Sequence, residues 1–356
     1  MKFIPHNKPT IGKEEIEAVI NSLSSLELTV GTRIQEFENK FSEYMGIDSI
    51  STSSGTSAIH LALNTLGVGR NDEVILPSYT CVAVAYPVLY QEAKPVLVDV
   101  GADFNIDLNE IKNNISERTK AIIVPHLFGY PADIQEIREI CDEKCIFLIE
   151  DCAQSIGAIY ENKKVGTFGD ISVFSFYATK LMASVQGGMI CTDNKEWIEN
   201  VRDIRYHDQV CSLEDMRMKY SYMMSDIDAV IGIEQLNKLD TFIKRRREIA
   251  RIYREEIVNV EHPIELQHKK HVYSRYVLKT KGKDRIIQDL KEKNISCTTM
   301  HSHPLHRRKL FSMNQQKYPH TDDIIASSIS LPIYPTLEDE DVLYISDTLN
   351  KLGGSV

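Results

Sequence analysis

The sequence lacks the features that mark membrane-spanning, secreted and nucleic-acid-binding proteins. No run of about eighteen apolar residues occurs along the 356 residues, so no membrane-spanning helix is expected. Residues 1–5 contain no apolar core of signal-peptide length. The formal net charge is -10, which argues against nucleic acids and anionic membranes as partners. We therefore expect a cytoplasmic protein with no nucleic-acid or membrane partner.

The sequence also has no arrangement of cysteine and histidine that is typical of a metal site. Its seven cysteines are an odd number, and several lie in apolar segments, as expected for buried thiols in a reducing compartment. Cys141 and Cys145 are one helical turn apart but lack the second pair that a zinc site requires. Segment 301–306 contains three histidines, but Pro304 prevents helical presentation. We expect no metal, and we interpret this segment as a loop that lines a polar pocket.

From residue 74 onward, short apolar segments alternate with amphipathic ones. The patterns predict strands at 74–76, 95–98, 121–124, 145–149, 171–176 and 188–191, and helices at 80–90, 107–115, 132–143 and 196–204. Two amphipathic helices precede them, one opening at residue 11 and one at 33–45. A regular alternation of strands and helices favours a mainly parallel sheet, so the predicted fold class is α/β.

A change of pattern follows a long predicted helix at about 226–257. The helix opens at Ser225 and Asp226, which are good N-cap residues. Beyond it, short strands and helices indicate a smaller α+β unit. We predict a large domain at 1–240, a small C-terminal domain at 241–356, and a bridging helix between them.

The stretch from 145 to 180 carries the clearest chemical signal. An apolar run at 145–149 is typical of a buried parallel strand, and it ends in Glu150 and Asp151. Lys180 follows a second strand about thirty residues later, in apolar and small surroundings. Pyridoxal phosphate (PLP) chemistry needs such a pair: the lysine forms a Schiff base and the acid keeps the pyridine nitrogen protonated. A helix cap or a solvated side chain would give the same pattern.

Segment 51–57 is a hydroxyl-rich turn containing Gly55 that leads directly into an apolar helix. Free backbone N–H groups and the positive end of the helix dipole make such a turn an anion site. A plain serine N-cap is an equally good interpretation.

Several motifs along the chain occur in an order that resembles one known family. They are segments 8–12, 28–31, 37–38, 53–56, 77–80, 129–133, 150–154, 166–170, 175–180, 187–189, 224–226, 245–247, 301–306 and 331–335. The chain thereby resembles, over nearly its whole length, the DegT/DnrJ/EryC1/StrS family of sugar aminotransferases. The resemblance implies an aspartate-aminotransferase-like (type I) PLP fold.

The resemblance also implies roles for particular residues. Lys180 matches the Schiff-base lysine, Asp151 the partner of the pyridinium nitrogen, and Gln154 the partner of the phenolic oxygen. Residues expected at the phosphate are Ser54, Gly55, Thr56, Ser175 and, from a neighbouring subunit, Ser221.

The implied reaction is transfer of an amino group, usually from L-glutamate, to a keto group of a nucleotide-linked deoxysugar. Such chemistry serves polysaccharide biosynthesis, and the expected assembly is a homodimer with shared active sites. Relatives that act as sugar dehydratases carry histidine at the position of Lys180, so lysine favours transamination. Two alternatives stay open: an aminotransferase for a non-nucleotide keto sugar or keto-sugar acid, and a non-catalytic PLP-binding regulator.

The chain departs from the family pattern at several positions, among them segment 185–188, which reads Val-Gln-Gly-Gly instead of Gly-Glu-Gly-Gly. Cys81 replaces an aromatic residue that stacks on the cofactor, with Tyr79 as a candidate substitute. Ser221 replaces an asparagine that reaches the phosphate, and Met223 replaces an arginine. These changes concern the substrate and cofactor retention more than the reaction class, so the sugar, the nucleotide and the aminated carbon stay open.

Overall fold

The computed structural model describes residues 2–26, 28–29, 31–207, 217–311 and 317–353. Val30, in one of the motifs above, and Cys211 lie outside the described residues. The helices are α1 (Lys13–Ser25), α2 (Thr32–Met45), α3 (Gly55–Thr65), α4 (Val82–Tyr90), α5 (Leu108–Asn114), α6 (Ile134–Lys144), α7 (Lys195–Ile204), α8 (Asp226–Glu256), α9 (Lys283–Glu292), α10 (Pro319–Ser327) and α11 (Asp339–Gly353). The strands are β1 (Ser49–Thr52), β2 (Glu73–Pro77), β3 (Lys94–Val98), β4 (Thr119–Pro125), β5 (Phe147–Asp151), β6 (Ile159–Tyr160), β7 (Lys163–Lys164), β8 (Ile171–Ser175), β9 (Gly188–Cys191), β10 (Lys269–Lys270), β11 (Tyr276–Lys279) and β12 (Ser328–Leu331).

Seven strands form the central sheet in the order β1-β9-β8-β5-β4-β2-β3. Strands β3, β2, β4, β5 and β8 pair in parallel, and β9 runs antiparallel to both of its neighbours. The predicted α/β class with a mainly parallel sheet is therefore confirmed.

Helices cover both faces of the sheet. Along β5, Leu148 packs into the core on one face and Ile149 into the core on the other. The same division occurs along β4 at Ile122 and Ile123. Burial on both faces explains why these strands are continuous apolar runs rather than alternating ones.

The strand predicted at 145–149 begins two residues later than expected. Cys145 ends α6 in a left-handed conformation (φ 54°), and its N–H bonds back to the carbonyl oxygens of the last helical turn. Because this cap uses Cys145, the strand starts at Phe147 and extends through Glu150 to Asp151. Both carboxylates therefore belong to the strand itself.

The 31-residue helix α8 connects two hydrophobic clusters. Its first part, including Leu236 and Ile243, packs into the core beside the sheet. Its last turns, including Ile249 and Tyr253, pack into a C-terminal cluster built on α9, α11 and the β11–β12 pair. The domain boundary at residue 240 stays a prediction. Within the described ranges, no helix is long and apolar enough to cross a membrane.

Candidate active site

A cavity of about 210 Å³ opens at the carboxyl ends of β5 and β8. The carboxyl edge of a parallel sheet is where α/β folds bind their ligands. The residues that line the cavity include every predicted site residue except Ser221: Ser54, Gly55, Thr56, Asp151, Gln154, Ser175 and Lys180. Residues that are more than a hundred positions apart in the sequence therefore meet at one place.

The turn before α3 forms one wall. Ser54 is the N-cap of α3, and its Oγ accepts the N–H of Ser57 at 3.1 Å. The first backbone bond of the helix runs from the Ala58 N–H to the Ser54 carbonyl oxygen at 3.0 Å. The N–H groups of Gly55 and Thr56 precede that bond and are available to an anion. The turn is thus both a serine N-cap and a candidate anion site, so the two interpretations are compatible.

Gly55 brings this turn against the end of β8. A Cβ atom at Gly55 would lie 2.8 Å from the Cβ of Ser175 and 3.2 Å from its Oγ. Such distances exclude any larger residue unless the backbone moves. The Ser175 hydroxyl and the helix N-terminus are therefore held at the same end of the cavity.

Asp151 also lines the cavity, at the end of β5. Its side chain is buried, and its Oδ1 accepts the N–H of Ala153 at 2.9 Å. Burial raises the pKa of the Asp151 carboxyl, while the Ala153 N–H and the charge of Lys180 oppose that rise. A cationic N–H group in the cavity would favour the ionised carboxylate.

Lys180 projects into the cavity from the segment after β8. Its pKa is lowered, mainly by burial, and the charge of Arg275 adds to the effect, whereas Asp151 and Cys81 oppose it. A lowered pKa increases the fraction of neutral amine, which is the nucleophilic form.

Gln154 is oriented by a strained residue. Its Oε1 accepts the N–H of Phe128 at 3.3 Å, which leaves the amide NH2 group as a donor at the cavity. Phe128 has a φ of 59°, a conformation that is rare for a bulky residue and concentrates at functional sites. Nothing in the sequence pattern predicted this contact.

The candidate role of Tyr79 is wrong. Tyr79 does not line the cavity: its ring is fully buried against Phe104 and Phe128, and its hydroxyl donates to the Met300 carbonyl oxygen at 3.0 Å. Cys81 does line the cavity, so the position that is aromatic in the family presents a thiol here.

Two fully buried residues, His126 and Glu150, pair at the carboxyl edge of the sheet, and the sequence analysis did not identify His126. His126 follows β4, and its Nε2 lies 3.0 Å from an oxygen of Glu150. The His126 Nδ1 accepts the Ala132 N–H at 3.0 Å, so Nε2 carries the proton and donates to Glu150. The Glu150 carboxylate also accepts the N–H groups of Gly166, Phe168 and Gly169 at 2.6–2.7 Å.

In the part of the chain that the structure describes, one group of side chains could hold a metal ion: His126, Glu150 and Cys152. The three histidines of segment 301–306 are not gathered into such a group. His306 Nδ1 lies 2.6 Å from the Ser78 Oγ, and the His301 ring stacks on Phe128. His303 Nδ1 lies 3.0 Å from the Ser302 Oγ, and the His303 carbonyl oxygen accepts the Arg308 Nε–H at 3.1 Å.

Ser221 lies apart from the cavity. It is exposed and forms an isolated β-bridge with Tyr206. Its predicted role requires a neighbouring subunit, and it stays a prediction.

PLP fits this cavity by the chemistry of its walls. A helix N-terminus with free N–H groups suits a phosphate, a buried carboxylate suits a protonated ring nitrogen, and a partly desolvated lysine suits an aldehyde carbon. The fold and this set of groups define a PLP-dependent enzyme. Residues 9–350 match the DegT/DnrJ/EryC1/StrS aminotransferase family, and the chain belongs to that family. The expected family, fold and cofactor are thereby confirmed, and the protein is a PLP-dependent sugar aminotransferase.

Similar proteins span essentially the whole chain. GDP-perosamine synthase of Escherichia coli O157:H7 is 35% identical, and the match covers 99% of each chain. The structure of Helicobacter pylori PseC, an aminotransferase involved in the biosynthesis of pseudoaminic acid, matches with a TM-score of 0.94 at 26% identity over 100% of both chains. The PLP form of Spr1654 from Streptococcus pneumoniae matches with a TM-score of 0.94 at 26% identity over 99% of both chains.

Proposed function

We propose that the enzyme transfers an amino group from L-glutamate to a keto group of a nucleotide-linked deoxysugar. The observation that carries the proposal is the meeting of Lys180, Asp151 and the α3 N-terminus around one cavity. The similarity to GDP-perosamine synthase supports a nucleotide-linked substrate and makes GDP-linked keto sugars the first to test.

In this proposal each wall of the cavity has one task. The N–H groups of Gly55 and Thr56 bind the cofactor phosphate, together with two nearby hydroxyl groups, those of Ser54 and Ser175. Asp151 holds the proton on the ring nitrogen, and the Gln154 amide donates to the phenolic oxygen. When bound, PLP supplies an electron sink for the bonds of the amino-bearing carbon.

Lys180 is the proposed proton carrier. Its lowered pKa provides a neutral amine that takes the proton from the donor carbon and later returns one to the acceptor carbon. The half-buried position keeps this amine away from bulk water, which limits proton loss to solvent.

A homodimer with shared active sites is part of the proposal. Helix α1 exposes Ile16, Ile20 and Leu23, each with about half of its surface accessible, and Leu26 follows with 82% exposed. Contiguous apolar side chains on a surface are typical of protein interfaces, and a second copy is the proposed occupant. Ser221 is exposed and therefore available to a partner's phosphate site. A cytoplasmic location is also proposed, since the six described cysteines are all unpaired thiols.

The first test is the visible absorption spectrum of the purified enzyme with PLP, recorded before and after L-glutamate. We expect a band that L-glutamate bleaches and that a GDP-linked keto deoxysugar restores, with the aminated sugar found by mass spectrometry. Lys180→Ala should abolish turnover while the fold is retained, and the matched control Lys195→Ala, an exposed position, should behave as wild type. Retained turnover in Lys180→Ala would falsify the assignment. A band that is restored only by non-nucleotide keto sugars would show that the substrate is not nucleotide-linked.

A further inference from the structure

Arg275 lies beside the catalytic lysine although it belongs to a distant part of the chain. It immediately precedes β11, and its Nη2 donates to the Thr179 carbonyl oxygen at 3.1 Å. Its Nη1 donates to the Ser274 carbonyl oxygen at 2.7 Å. Asn7 Nδ2 donates to the same Thr179 oxygen at 3.3 Å. Two side chains from different segments therefore hold the residue that precedes Lys180.

Arg275 has no anionic partner among the described residues. Its hydrogen bonds go to carbonyl oxygens, no carboxylate forms an ion pair with it, and burial alone lowers its pKa to about 10. A buried guanidinium without a counter-ion is costly. An anionic ligand that binds beside Arg275 would supply the missing counter-ion.

Other cation-forming groups surround Arg275. Burial and, to a smaller extent, the charge of Arg275 lower the pKa values of Arg246 to about 9, of His6 to about 4 and of His301 to about 3. Lys180 is affected in the same direction. At neutral pH the two histidines are therefore uncharged, and the positive charge on this side of the active site comes from Arg275 and Arg246.

Among the described residues, the Nε atom of Arg275 and the Nε2 atom of His301 are buried side-chain nitrogens that have no hydrogen-bond partner. The His301 ring is held between aromatic residues, stacked on Phe128 at 6.0 Å and edge-on to Tyr79 at 5.5 Å. Its backbone has a φ of 46°, so the ring is placed there against local preference. Leaving such polar atoms buried without a partner is unfavourable, and a bound ligand that pairs with them would offset this cost.

The position of Arg275 next to Lys180 indicates which kind of anion it binds. In the donor half of a transamination, the amino-bearing carbon must lie within reach of Lys180, and the α-carboxylate of an amino acid is bonded directly to that carbon. A keto sugar carries no carboxylate there. The cofactor phosphate has its own site at the α3 N-terminus, among cavity-lining residues that do not include Arg275.

We propose that Arg275, assisted by His301, binds the α-carboxylate of the amino donor. Arg275 can present its planar fork to a carboxylate, a geometry that lysine cannot reproduce. This inference rests on the proposed function in one respect: it takes the donor to be an amino acid.

The test compares two donors that differ only at this carboxylate, L-glutamate and L-isoglutamine, its α-carboxamide. Single-turnover bleaching of the PLP band gives a second-order rate constant for each. With Arg275→Gln, we expect the constant for L-glutamate to fall roughly 10- to 100-fold and that for L-isoglutamine to change less than about threefold. Arg275→Lys should fall between wild type and Arg275→Gln for L-glutamate. The control Arg251→Gln removes an exposed arginine paired with Glu255 and should match wild type.

A purely structural role for Arg275 predicts a different result, namely equal losses for both donors, and that result would overturn the proposal. Calorimetric titration of the PLP-loaded enzyme with glutarate, an unreactive dicarboxylate, gives a readout independent of turnover. If glutarate binds to wild type but not to Arg275→Gln, the carboxylate subsite is supported. This holds even if L-glutamate leaves the PLP band unchanged, because that result would count only against L-glutamate as the donor. No binding of glutarate to wild type would overturn the proposed subsite.

Discussion

Asp151 illustrates, at the scale of one residue, how a proposed catalytic role opposes stability. The residue is 7% exposed, and burial raises the pKa of its carboxyl above the ordinary value of 3.8. Between 3.8 and that raised pKa, the folded PLP-free protein binds more protons at this site than the unfolded chain does. The stability that the neutral form contributes is therefore present below pH 3.8 and is lost as the pH rises through the folded pKa.

Asp151→Asn should consequently stabilise the PLP-free protein at neutral pH while it destroys function. We expect the melting temperature to rise by roughly 1–3 °C, because the amide carries no buried charge. Turnover should fall by roughly 100-fold or more, since the amide cannot hold the ring proton. Thermal unfolding across pH, with the exposed Asp193→Asn as control, checks the first expectation, and steady-state kinetics the second. A destabilised Asp151→Asn protein would contradict this account.

At the scale of elements, β5 carries two carboxylates with opposite tasks because successive residues of a strand face opposite sides. Asp151 faces the cavity, and Glu150 faces the core, where it accepts three backbone N–H groups and His126. Glu150 thereby ties the ends of β4 and β5 to the segment before β8. These bonds fix the position of the strand end that holds Asp151.

Glu150→Ala should be severely destabilising. It leaves three N–H groups and the His126 donor without an acceptor in a fully buried place, and we expect a loss of roughly 3–5 kcal/mol in the free energy of unfolding. Urea denaturation measures this loss, and Glu139→Ala on the exposed face of α6 serves as the control. A change below about 1 kcal/mol would show that the network contributes little.

At the scale of the whole molecule, the proposed dimer assigns Ser221 to the partner's phosphate. That assignment explains why Ser221 is exposed and lies away from the cavity of its own chain, although the other seven predicted site residues line it. Because each proposed site combines residues of two chains, its composition can be tested in mixed dimers.

Ser221→Asp places a negative charge near the partner's phosphate and should weaken PLP binding by roughly 10-fold or more. Subunit exchange between Ser221→Asp and Lys180→Ala chains should restore tight PLP binding and turnover in one site of each mixed dimer. That site combines Lys180 of one chain with Ser221 of the other. Titration of PLP and activity in the mixture test this, and the absence of recovery would place Ser221 outside the active site.

Much of the fold was predictable because its signals are local. The strands around β4 and β5 are uninterrupted apolar runs, and the helices show apolar periodicity. The fold class and the order of strands and helices along the chain therefore follow from short segments of the sequence. The strand boundary at Cys145 was not predictable, since a non-glycine residue in the left-handed conformation carries no clear sequence signal.

The sequence by itself determined the cofactor and the reaction class of this protein, because its motifs, which include Lys180, Asp151, Gln154 and the turn at Ser54, occur in the order of a PLP-dependent family. Only the tertiary structure decided what surrounds them. Arg275, His126 and Phe128 act on Lys180, Glu150 and Gln154 from distant segments, and Tyr79, though close in sequence to Cys81, turns away from the cavity. The physical reason is that charge, burial and hydrogen bonding depend on contacts between segments, which arise from packing and not from spacing along the chain.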